Sequence, residues 1–213
     1  MPPRRRPSHP QRSSQQPSSG KHTGAGKLRI IGGEWRSRQL PVANLEGLRP
    51  TPDRIRETLF NWLTGWVAGA RCLDGFAGTG AIGLECLSRG ASQATFLEYS
   101  PVAAKLLKEN LATLKCSSGE VVNTDALKWL EQKPAQPYNL IFLDPPFHKG
   151  MVAPVCEKLQ ANGYLSDNAL VYIESEVTLG MPDVPKHWQL WKEKSAGQVS
   201  CRLFKASKAA QEE

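Results

Sequence analysis

The chain lacks any run approaching the ~20 consecutive apolar residues that a membrane-spanning helix needs, and no apolar segment follows the arginines near its start. No membrane span and no secretory leader are expected, and the protein reads as soluble and cytoplasmic. CxxC spacing is also missing. The five cysteines, Cys72, Cys86, Cys116, Cys156 and Cys201, form an odd set, and three of them lie inside apolar periodic stretches. That pattern reads as free thiols in a reducing compartment, not as a disulfide framework or a zinc site. With 213 residues, 40% of them hydrophobic, there is material for one well-buried domain and a small appendage, but not for two full domains.

Acidic residues are scarce in one part of the chain. Residues 1–56 hold twelve Lys or Arg against three acids, a net of +9, whereas the other 157 hold fifteen against seventeen, a net of −2, which together give the +7 of the whole. The basic character therefore belongs to the N-terminal segment, whose binding to a polyanion would release counterions and weaken steeply with salt. Residues 1–26 are Pro, Ser, Gln, Gly and Arg with almost no apolar side chain, so a disordered tail is expected there. Order is expected from Lys27. Leu28 to Ile31 and Arg38 to Val42 flank Gly32-Gly33 and Trp35, which suggests a small ribbon. Thr51-Pro52-Asp53 then opens a helix that carries Leu59, Phe60, Leu63 and Trp66 at helical spacing. Arg36, Arg38, Arg49, Arg54 and Arg56 continue the charge past the low-complexity part, so residues 27–66 read as a nucleic-acid-gripping extension.

From residue 67 to about 205 the pattern changes to short apolar runs alternating with amphipathic segments. Strands are expected near 71–74, 94–98, 119–123, 138–143 and 169–174, and helices near 79–89, 101–114, 125–132 and 151–161. Such alternation implies an α/β fold with a parallel sheet covered on both faces, whose ligands bind beyond the carboxyl ends of the strands. Asp74, Glu98, Asp125 and Asp144 all fall there. Trp188 to Trp191 and Val199 to Phe204, around Ser195-Ala196-Gly197, predict an antiparallel hairpin closing the sheet edge, with frayed residues from 206 on.

The loop after the first strand runs Asp74-Gly75-Phe76-Ala77-Gly78-Thr79-Gly80-Ala81-Ile82-Gly83, which spells GxGxxG, with Glu98 20 residues after Gly78. By spacing this fits a dinucleotide, whose ribose hydroxyls the acid would hold. It fits S-adenosylmethionine equally well. Asp74 separates the two, because a carboxylate in the cleft repels a pyrophosphate but attracts an ammonium and a sulfonium.

Asp144-Pro145-Pro146-Phe147 follows an apolar strand with a carboxylate, two rigid prolines and an aromatic ring. Together they make a shelf on which a flat ring bearing an NH2 can stack and hydrogen-bond. The loop Asp74 to Gly80, Glu98, Asn123-Thr124-Asp125 and this tetrapeptide resemble the successive motifs of class I S-adenosylmethionine-dependent methyltransferases that act on exocyclic or amide nitrogen. Lys27 to Gly33, Leu48 to Leu63 and Ile173-Glu174-Ser175-Glu176 narrow the resemblance to the RsmD family of bacterial 16S rRNA guanine-N2 methyltransferases, over about residues 27–205.

The resemblance implies a Rossmann-like, mostly parallel seven-stranded sheet and methylation of a guanine N2 in 16S rRNA, within the small subunit or its assembly intermediate, by a monomer. Asp74, Phe76, Ala77, Gly78 and Gly80 would wrap the methionine part of the cofactor and Glu98 the ribose. Asp125 would accept from the adenine amino group between Tyr99 and Ala126 or Leu127. Asp144 and the Pro145 carbonyl would accept from the guanine NH2, and Phe147 would stack on the flipped base. Lys149 would join the arginines on flanking phosphates. An N6-adenine methyltransferase, a nicotinamide-dependent oxidoreductase and a non-catalytic RNA-binding module are the competing readings.

Overall fold

A computed structural model describes residues 26–45, 48 and 51–206. Arg49 and the expected tail and frayed C-terminus lie outside the described residues, save Gly26 at one end and Ala206 at the other. The ribbon forms from β1 (Lys27–Arg29) and β2 (Gln39–Pro41), paired antiparallel. Helix α1 (Asp53–Trp62) starts after Pro52 and ends before Trp66, four residues short of the expected apolar repeat. The body then runs β3 (Arg71–Asp74), α2 (Ala81–Ser88), β4 (Gln93–Glu98), α3 (Pro101–Thr113), β5 (Gly119–Asn123), α4 (Ala126–Trp129), β6 (Tyr138–Leu143), α5 (Val152–Ala161), β7 (Leu165–Glu176), β8 (Gln189–Ala196) and β9 (Val199–Ala206). Local chemistry sets several of these ends. Ser100 caps α3 by accepting from the Ala103 amide, with Pro101 at the first helical position, and Asp125 caps α4 by accepting from the Lys128 amide.

Seven strands make one sheet in the order β5-β4-β3-β6-β7-β9-β8. The pairs from β5 across to β7 are parallel, and β9 is antiparallel to both β7 and β8. The C-terminal hairpin thus closes the edge as expected, with its second strand inserted inside its first. Sequence order reverses between β3 and β6, and the carboxyl ends of those two strands are where such sheets open a crevice. Two apolar clusters cover the faces. One joins α1, α2 and α3 with the ribbon, so that Leu28, Ile30, Leu40 and Trp35 are continuous with Cys72, Phe96 and Phe142. The other packs α4 and α5 on Leu73, Ile141 and Ile173. Among the described residues no helix is long and apolar enough to cross a membrane.

The ribbon is anchored at the end of α2 remote from the crevice. The Glu34 amide donates to the Ser88 carbonyl, the Trp35 amide donates to Ser88 Oγ, and that hydroxyl donates to the Gly32 carbonyl. From there the chain climbs along α3, past a hydrogen bond from Asn110 to the Pro41 carbonyl, until Leu48 reaches the glycine loop.

Candidate active site

A cavity of about 850 Å3 opens at the carboxyl ends of β3, β4 and β6. It is lined by Asp74, Phe76, Ala77 and Gly78 of the first loop, by Glu98 and Tyr99 after β4, by Asp125 and Ala126 after β5, and by Asp144 to Phe147 after β6. Lys149 stands at its mouth, while Leu48 and Thr51 close it from the N-terminal segment.

The glycine loop divides its labour. Gly78, at φ 53°, borders the cavity, and its amide donates to Glu98 Oε2 at 2.7 Å. Gly80 was expected to hold the cofactor, but it does not line the cavity. At φ 75° it begins α2, and a Cβ there would lie 2.4 Å from Leu107 of α3, so its role is the turn and a tight helix approach. Gly83 lies deeper, where a Cβ would lie 2.2 Å from the Phe96 ring, and its amide donates to Asp74 Oδ2 at 3.1 Å.

Glu98 accepts from the Ser100 amide with its other oxygen, so the carboxylate braces the loop from below while still bordering the cavity. Asp125 spends Oδ1 on capping α4, which leaves Oδ2 for a ligand donor. Tyr99 stands beside it, 78% exposed, with the face of its ring available for stacking.

Three carboxyls lie on one face of the sheet. Asp74 pairs in register with Phe142, which pairs with Tyr172; Asp144 and Glu174 are the next residues along on the same face. None of the three forms an ion pair among the described residues. Burial pushes Asp74 up to about 7, with Asp144 and Glu98 adding repulsion against the bond from Gly83. Burial likewise raises Asp144 to about 6. Glu174 reaches about 8 through burial first and Asp144 second, while Tyr172 Oη, donating at 2.9 Å, opposes the rise. A cation entering the cavity would return these groups toward their ionised forms. That suits S-adenosylmethionine, with its ammonium and sulfonium, and disfavours a pyrophosphate.

Neither Glu174 nor Glu176 has a role that the sequence alone assigns. Glu174 is the buried neighbour of Asp144. Glu176 accepts from the His148 amide at 3.1 Å and lies 3.3 Å from its ring nitrogen, tying down the loop just past the shelf. Leu48 and Thr51 likewise have no role legible in the sequence, because which wall they close depends on the climb along α3.

The arginines separate into three groups. Arg54 is exposed on the first turn of α1, two residues after Pro52, and does not line this cavity, whereas Lys149 does. Arg36 and Arg38 sit at the far end: Arg38 donates to the carbonyl of Thr113, the last residue of α3, about 20 Å of helix away from the Tyr99 end. Arg56 is a correction. It is fully buried, donating to the Arg29 and Thr51 carbonyls and pairing with Asp53 at 2.5 Å and Glu85 at 3.4 Å, so it cannot reach a phosphate. The acids that neutralise it, Asp53 and Glu85, are too far apart in sequence for their convergence to be read from spacing.

Comparison with known proteins supplies what the geometry leaves open. A family model described as Conserved hypothetical protein 95 matches residues 28–205. Ribosomal RNA small subunit methyltransferase D of Escherichia coli is 52% identical over 183 residues, covering 86% of this chain and 92% of that one. The protein of the same name from Haemophilus influenzae is 50% identical over 182 residues, covering 84% and 94%. The chain belongs to the ribosomal RNA small subunit methyltransferase D family. A solved structure of yhhF from Escherichia coli superposes with a TM-score of 0.81 at 49% identity, covering 87% of this chain and all of that one. The family match runs from the ribbon to the last strand and so takes in ribbon, α1 and sheet.

Proposed function

We propose that the protein transfers a methyl group from S-adenosylmethionine to the exocyclic N2 of a guanine in small-subunit ribosomal RNA. It acts as a monomer on the subunit or its assembly intermediate, in the cytoplasm. One observation carries this reading: Asp144-Pro145-Pro146-Phe147 forms one wall of a cavity whose other walls are Asp74, Glu98 and Asp125, and none of these carboxylates is in an ion pair among the described residues. The relatives' names support the RNA and the subunit, and the family resemblance supports guanine over adenine.

Bound S-adenosylmethionine supplies an electrophilic methyl carried on a sulfonium. The chain's own residues supply its placement. Asp74 and the wall formed by Phe76, Ala77 and Gly78 would receive the methionine end, Glu98 the ribose hydroxyls, and Asp125 Oδ2 the adenine amino group beside Tyr99. On the opposite wall, the Asp144 carboxylate and the Pro145 carbonyl accept the two N–H bonds of the guanine amine. Accepting both keeps the nitrogen lone pair out of the ring and aims it at the methyl group. Phe147 fixes the ring plane by stacking, worth roughly 1–3 kcal/mol. As the N–C bond forms, the amine becomes acidic, and Asp144 takes the proton it already holds by hydrogen bond. Positioning supplies most of the acceleration, since the transfer from a sulfonium is strongly downhill. Arg54 and Lys149 hold phosphates near the flipped base, and Arg36 and Arg38 reach only more distant ones.

The test is mass spectrometry of nucleosides after incubating the protein and S-adenosylmethionine with small-subunit RNA, free and protein-bound. N2-methylguanosine is expected. N6-methyladenosine in its place would overturn the assignment, and no methylated nucleoside in either substrate would overturn the activity.

A further inference from the structure

A second cavity, of about 380 Å3, lies on the other side of Pro52 from the first: Thr51 borders one and Pro52 the other. One wall is the Ile55 and Trp62 face of α1, the opposite wall is Ala196 and Val199 of the β8–β9 hairpin, and Tyr172 is the floor. The floors of the two cavities are joined. Tyr172 Oη donates to Glu174, and Glu174 neighbours Asp144 across β6 and β7.

The lining of this slot is apolar, but two cations stand at its mouth. Lys194 donates to Thr58 Oγ1 at 3.1 Å, which bridges hairpin and α1 and leaves two ammonium protons unused. Arg54, one turn earlier on α1, is exposed. Neither is in an ion pair among the described residues, and no acid lines the slot. Nearby cations differ: Arg29, Arg56, Arg89 and Arg202 are all paired with carboxylates. The lining therefore suits an occupant with an apolar or aromatic body and an anionic edge.

We propose that this slot takes the nucleotide next to the methylated guanine in the RNA strand, its base between Trp62 and the hairpin and its phosphates on Arg54 and Lys194. The proposal rests on the reading of the first cavity as the guanine site. Flipping a base out strips its neighbour of a stacking partner, and a slot that restacks the neighbour holds the strand open. Stacking on an indole accepts any base, so the slot grips without reading sequence.

The test uses the full-length protein and an RNA that it methylates, with 4-thiouridine placed singly at each position flanking the target guanine. Irradiation is expected to attach one immediate neighbour to residues 53–62 or 189–206, and adducts mapping elsewhere from every position would overturn the slot. Ala196→Trp, which fills it, is expected to raise the KM for RNA at least tenfold while leaving S-adenosylmethionine affinity unchanged. Lys194→Gln, at an exposed position, is expected to lower the salt slope of RNA binding by about one. Unchanged KM and slope with methylation intact would sink the slot and leave the guanine site standing. Loss of all guanine methylation by the unaltered protein would instead sink the reading on which it rests.

Discussion

Two sets of buried charge lie on the same side of this sheet, and they are built in opposite ways. Arg56 and Glu85 are both fully buried, and each is matched: Arg56 by Asp53 and Glu85, Glu85 by Arg56, by Arg89 at 2.8 Å and by the Ile31 amide at 2.9 Å. Asp74 and Glu174 are each 4% exposed and have no cation among the described residues. Buried charge is costly unless it is paired. The first set answers that cost within the chain and fastens ribbon, α1 and α2 together. The second leaves it unanswered, so both groups titrate well above the ordinary carboxylate range, and a cationic ligand would bring them back toward it. Pairing, not burial, separates framework from site.

The sharpest way to break this contrast is Asp144→Ala. It is expected to lower kcat by about 10²–10³-fold or more while S-adenosylmethionine affinity, measured by calorimetry, stays within a few-fold. A large loss of cofactor affinity would place Asp144 with the wrong partner. Next in size is Arg56→Met, which removes the buried cation that joins Asp53 to Glu85 and leaves Glu85 only Arg89 and the Ile31 amide. It is expected to destabilise the fold by about 3–5 kcal/mol, seen as a fall in Tm of roughly ten degrees. A fall of only a degree or two would show the network to be ornamental.

The unpaired set should also be legible in pH. Its folded-state acids titrate above their unfolded values, so the native state binds more protons between about pH 4 and 8. Stability of the unliganded protein therefore falls as pH rises through that window. Glu174→Gln is expected to flatten the fall above pH 7, and a Tm profile identical to the parent's would remove Glu174 from the account. Activity is expected to rise through about pH 6 as Asp144 ionises, and a bound cation should move that limb lower in kcat than in kcat/KM. The smallest expected effect separates Lys149→Gln, which should raise the KM for RNA several-fold, from Arg36→Gln at the far end of α2, which should change it less. Equal effects would mean that proximity to the cavity does not rank the cations.

Much of this was legible in the sequence because it is local. The strand ends at Asp74, Glu98, Asp125 and Asp144, the capped helices and the C-terminal hairpin follow from periodicity and turn residues within a dozen positions. What escaped depends on long-range pairing. β7 begins at Leu165, four residues before the expected Ala169, where it pairs with Tyr138 of β6, and Ser166, Asp167 and Asn168 hide that start by interrupting the apolar run. β8 hides its length in Lys192, Glu193 and Lys194, charges suited to an exposed edge. Arg56 and Arg54, two residues apart on one helix, looked alike in sequence, and only the convergence of Asp53 and Glu85 buries one and frees the other. Gly80 completed a motif whose spacing fits a cofactor loop, yet the close approach of Leu107 explains it.

The most direct test of the central claim is the proton count on cofactor binding. Calorimetry of S-adenosylmethionine binding at pH 7, in buffers of differing ionisation enthalpy, is predicted to show net release of protons, and affinity is predicted to rise from pH 6 to 8. Binding with no proton release and no pH dependence would contradict the claim that the unpaired carboxyls await the cofactor's charge.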